Sequence, residues 1–135
     1  MPLKQTRGIE VRGARELARA LKAADPALLR ELKAENKRLA GMVADTAESH
    51  VPVRSGALRA SIRAGSTQRS GTVKAGSRAV PYAGPIHFGW FVRKDPARGG
   101  PIKPNPFLYR ALDERRDEVF AAYTEAVKRI TAKID

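Results

Sequence analysis

The apolar residues of this chain fall into helical stripes at either end, with a differently punctuated stretch between them. Leu28, Leu29, Leu32, Leu39, Met42, Val43 and Ala47 recur at roughly helical period and predict a helix running to about Ser49. It opens at Asp25-Pro26, where a carboxylate that can accept from free N–H groups is followed by proline at the first helical position. Pro52 ends it, because the residue before a proline is pushed out of the helical region. Gly41 weakens it slightly. Leu17 and Leu21 share one face of a shorter helix over Ala14 to Ala24. At the other end, Leu108, Leu112, Val119, Tyr123, Val127, Ile130 and Ile134 form a second stripe, with Ala111, Phe120 and Ala126 alongside. Asn105-Pro106 repeats the cap-plus-proline signal and opens this last helix, whose charged face is Asp113 to Glu118.

Between the helices the period changes. Ile62 to Ser66 and Gly71 to Gly76 read as two short strands joined by the polar turn Thr67-Gln68-Arg69-Ser70, a hairpin. Ser55 to Ile62 suits either a helical turn or the lead-in to a strand. Pro81 to Phe88 reads as one helical turn that buries Tyr82, Ile86 and Phe88, and Gly89 to Arg93 as a further strand. Pro96, Gly99, Gly100 and Pro101 make Asp95 to Pro104 a loop. The expected fold is α+β, with a long N-terminal helical segment and a C-terminal helix packed on a small antiparallel sheet. A length of 135 residues suits one domain. Its parts are an arm at 1–13, helices at 14–50, a β-rich basic centre at 51–104 and the C-terminal helix at 105–135.

Charge sharpens this division. The net charge is +12, and residues 49–112 hold eleven Lys or Arg against one acid, Asp95. The flanks carry fifteen basic and thirteen acidic residues, close to neutral. A basic centre attracts nucleic acid, acidic protein surfaces or anionic lipid. The absence of cysteine excludes disulfides and thiolate metal sites. Lys4 and Arg7 precede no apolar run, unlike a signal peptide. The charge-free stretch Ala79 to Val92 is broken by Pro81 and Pro85 and is too short to span a bilayer.

Catalytic sets are not evident. His50 and His87 lack the partners of a metal site, and His50 is better read as a helix-end residue. Ser55 and Ser61 sit in no nucleophile-elbow pattern. Gly65 to Thr72 lacks the spacing and the lysine of a phosphate loop, and a hairpin turn explains it. Trp90 and Phe91, with Arg93 and Lys94, are candidates for docking on a partner or stacking on a base. The basic residues Arg54, Arg59, Arg63, Arg69, Lys74 and Arg78 lie on strands and turns rather than on a recognition helix, which favours non-specific contact over base reading.

Three phrases carry a resemblance. Val51-Pro52-Val53-Arg54-Ser55-Gly56-Ala57-Leu58-Arg59-Ala60-Ser61-Ile62 resembles the V-P-x-[RK]-[ST]-G-x-L-[RK]-x-S-I pattern of a small neck protein of long-tailed bacteriophages. This is the head–tail joining or tail-completion family, related to the minor tail protein Z group of lambdoid phages. Tyr82-Ala83-Gly84-Pro85-Ile86-His87-Phe88-Gly89 resembles its Y-A-x-x-[IV]-x-F-G phrase, and Pro104-Asn105-Pro106-Phe107-Leu108-Tyr109-Arg110-Ala111-Leu112 its P-x-P-F-L-x-x-A-L lead into a C-terminal helix. The order agrees, and the resemblance spans roughly Leu28 to Ile130. His87 departs from it, standing where the family often has glutamate, as does the long insertion from Arg93 to Lys103. The first departure bears on an intersubunit salt bridge, the second on which neighbour is touched.

The resemblance implies a non-enzymatic virion subunit without cofactor or metal. It is made in the host cytoplasm and assembles as a ring, six-fold in expectation. The ring lies between the head-side connector or stopper and the tail-terminator or tail-tube proteins, and it continues the DNA channel. Pro52, Gly56, Leu58, Pro81, Tyr82, Phe88, Gly89, Pro106 and Phe107 are then its structural motif. A ring needs one face to meet a different face of the next copy. The basic centre is expected to meet acidic surface on the next subunit, such as the patch Asp113, Glu114, Asp117 and Glu118, or on another ring, in preference to channel DNA. The competing reading is a stand-alone basic nucleic-acid-binding protein.

Overall fold

Asp25 divides the N-terminal helices as its side chain predicts. In the computed structural model, which describes residues 13–51, 56–67, 69–88 and 103–134, helix α1 spans Ala14–Ala24 and helix α2 Pro26–Glu48. The extended backbone of Asp25 separates them, and its carboxylate accepts from the Ala27 N–H at 2.9 Å. Helix α3 (Ala57–Ser61) follows, so this part of the first phrase is a helical turn rather than the lead-in to a strand. Strands β1 (Arg63–Ser66) and β2 (Gly71–Lys74) then form the expected antiparallel hairpin, with Arg63 opposite Lys74 and Ser66 opposite Gly71. Helix α4 covers Ala83–Phe88 and helix α5 Phe107–Thr131. The fold is α+β.

Helices α2 and α5 run antiparallel, as their cross-links show. Glu31 pairs with Lys133 and Glu35 with Arg129 at one end; Thr46 accepts from Arg115 and His50 meets Glu114 at the other. Positions that rise along α2 meet positions that fall along α5.

Two apolar clusters result. One joins Ala18 and Leu21 of α1, Leu28, Leu29 and Leu32 of α2, and Ile130 of α5. The other gathers Val43, Ala44 and Ala47 of α2 with residues of all three phrases. The hairpin lies on α2, where Ala64 and Val73 pack against the second cluster. Its turn end comes so close that a Cβ on Gly71 would strike the carbonyl oxygen of Asn36 and sit 3.1 Å from the Ala40 Cβ. Only glycine allows this approach without displacing helix backbone.

Three expectations are corrected. Asn105 does not cap α5: the N-cap is Pro106, without a side-chain cap bond, and the Asn105 side chain is engaged elsewhere. Tyr82 is 37% exposed rather than buried, since it precedes α4 and Ala83 takes the core position. Phe120 is 59% exposed, because it lies on the α5 flank turned from α2 while Val119 faces the core. The arm at 1–12, the strand expected over Gly89 to Arg93 and most of the 95–104 loop lie outside the described residues, as does the side chain of Phe88.

Candidate functional site

The three phrases, far apart in sequence, close on one node at the C-terminal end of α2. Val51, Leu58 and Ile62 come from the first, Val80 and Ala83 from the second and its approach, and Phe107 and Ala111 from the third. All are buried, and Phe107 is fully enclosed. Gly56, at φ 73°, turns the chain into α3 so that Leu58 faces inward. Gly76, at φ 89°, turns it again below α4, where a Cβ would lie 2.8 Å from that of Ala83.

Polar bonds fix the node. The Asn105 side-chain amide donates to the His50 carbonyl at 3.1 Å, and its backbone N–H donates to the Ile86 carbonyl at 2.9 Å. The Asn105 side-chain oxygen accepts from Arg110 at 3.1 Å. His50 itself meets Glu114 at 2.7 Å, so the helix-end histidine is a cross-link to α5. No local sequence signal separates this bridging asparagine from a capping one, because both stand before a proline at a helix start.

His87 is 4% exposed, its ring edge-on to Phe107 at 5.1 Å and to Tyr109 at 4.5 Å. Burial holds its pKa below the ordinary value, favouring the neutral ring. Position 87 is therefore interior to the subunit, not displayed for a salt bridge between subunits. Burial likewise raises the pKa of Tyr123.

The basic candidates separate into kinds. Arg63 is exposed, but its guanidinium donates to the carbonyls of Ser61 at 2.8 Å and Gly76 at 2.9 Å, clamping the start of β1 to the turn after β2. Gly76 N–H reinforces this by donating to the Ser61 hydroxyl at 2.9 Å. Arg59, Arg69, Lys74 and Arg78 are exposed and form no ion pair among the described residues. Arg54, Pro52, Gly89 and the docking candidates Trp90, Phe91, Arg93 and Lys94 lie outside the described residues.

The acids are mostly spoken for. Asp113 pairs with Arg116, Glu114 with His50 and Glu118 with Arg115. A neighbour's basic centre would have to compete with these intrachain partners for three of the four acids expected to receive it. Among the described residues there is no cluster of His, Asp and Glu suited to a metal ion, and no helix is long and apolar enough to cross a membrane.

No protein family, curated protein or solved structure matches the chain. The functional reading rests on the three phrases and on their geometry.

Proposed function

We propose that this chain is a structural subunit of a long-tailed phage neck, assembling as a ring, six-fold in our reading, that joins the DNA-filled head connector to the tail tube and continues the channel. The observation that supports it is the convergence of the three phrases on one node, linked through Asn105 to His50 and Ile86. Residues that form the family-like pattern thus act together, as the corners of one fold. Its partners are further copies of itself and the rings above and below, its place is the virion, and its role involves no catalysis. Removal of the gene from the phage that encodes the chain tests this. Micrographs should show filled heads and separate tails, and joined virions in its absence would overturn the proposal.

A further inference from the structure

The ion pairs between α2 and α5 sort the charges of α2 by side. Glu31 and Glu35 face α5 and are neutralised there by Lys133 and Arg129. Arg30, Lys33 and Lys37 are exposed and form no ion pair among the described residues. At about 100° per residue, Lys33 and Lys37 lie on the flank next to Asn36, the residue against which Gly71 of the hairpin abuts. Arg69 stands two residues before Gly71 in the turn and is exposed. The abutment of Gly71 on Asn36 brings the turn that carries Arg69 to the stretch of α2 that carries Lys33 and Lys37, more than thirty residues away in sequence. Arg30 to Lys37 extends this row by about 10 Å along the helix.

We propose that Arg30, Lys33, Lys37 and Arg69 form a cradle for the phosphate backbone of nucleic acid. A protein partner would call for apolar or aromatic anchors at the centre of the patch. The exposed large apolar residues among those described are Tyr82, Phe120 and Ile134, all of them outside α2 and the hairpin. Six of the eleven acids among the described residues are paired within the subunit, so a second copy offers fewer free acids than this chain has unpaired cations. Cations without anchors or counter-charges fit a polyanion, held without regard to sequence. This goes beyond the neck reading and does not depend on it, because the cradle belongs to the single chain.

The test is fluorescence anisotropy of a labelled random-sequence DNA duplex with the purified full chain, across a salt series. The triple variant K33Q/K37Q/R69Q should weaken binding by at least about tenfold and lower the salt slope by about 2 to 3, near 0.9 per lost contact. The charge-keeping triple K33R/K37R/R69K should bind as the parent does. The control R15Q/R19Q/K22Q removes three exposed, unpaired cations from α1 and should cost far less. Equal losses in the two neutralised triples would mean that net charge alone binds, and would overturn the cradle. So would failure of the parent to bind, or competition by polyglutamate as effective as that by unlabelled DNA at equal charge. Circular dichroism of each variant checks that it is folded.

Discussion

The side chain of Asn105 donates to the backbone carbonyl of His50 across 55 positions of sequence. This bond ties the end of α2 to the start of α5, and the Asn105 backbone extends the tie to α4. Replacing Asn105 with alanine leaves the His50 carbonyl and the Arg110 guanidinium without this partner. We expect a loss of about 1–2 kcal/mol in urea unfolding, typical of a broken, partly buried hydrogen bond. An unchanged midpoint would mean that water replaces the amide at no cost.

Glycines 41 and 71 respond to the same substitution with opposite sign. Gly41 lies inside α2 with nothing within 4 Å of a built Cβ. Gly41→Ala should stabilise by about 0.5–1 kcal/mol through helix propensity. Gly71→Ala forces the hairpin off Asn36 and should cost about 1–3 kcal/mol. Thermal melts of the two variants should therefore move in opposite directions, and a shared direction would refute the close approach of the hairpin.

Stability should fall in mild acid because of His87. The unfolded chain takes up a proton there as pH falls through about 6.5, while burial keeps the folded ring neutral to lower pH. The contribution is fully present above 6.5 and shrinks as pH falls towards the folded value. The urea midpoint should be lower at pH 5.5 than at pH 7.5, and His87→Phe should reduce that difference. An identical pH response in the variant would place the titration elsewhere.

Arg63 and Arg59 are both exposed arginines, yet they should differ on truncation. Arg63→Ala loses two bonds to carbonyls and should destabilise by roughly 1–2 kcal/mol. Arg59→Ala touches no such clamp and should stay within about 0.5 kcal/mol. Chemical denaturation of the pair reads this directly.

What was legible in the sequence was local. Asp25-Pro26 carries its own cap, and Thr67 to Ser70 its own turn, so both appear where the pattern puts them. Asn105 misled because a cap and a bridge look alike until the partner, His50, is placed. Tyr82 and Phe120 misled because an aromatic residue at a helical boundary can face either way, and the neighbouring Ala83 and Val119 settle which. The pairing of Glu35 with Arg129, 94 positions on, has no local signature, and neither does the abutment of Gly71 on α2. The flanks look neutral when charges are counted along the chain. Once ion pairs form, α1 and α2 keep more unpaired cations than unpaired acids among the described residues.

The two apolar clusters share α2 but draw on different partners. The α1 cluster depends on six buried residues, one of them Ile130 at the far end of α5, whereas the node of the three phrases is larger and is tied by the Asn105 bonds to His50 and Ile86. Amide hydrogen exchange should accordingly divide the chain into two cooperative units, with α1 releasing its protons at a lower free energy than the node. The N-terminal helix can then peel away and reseat while the corner that carries the three phrases stays closed.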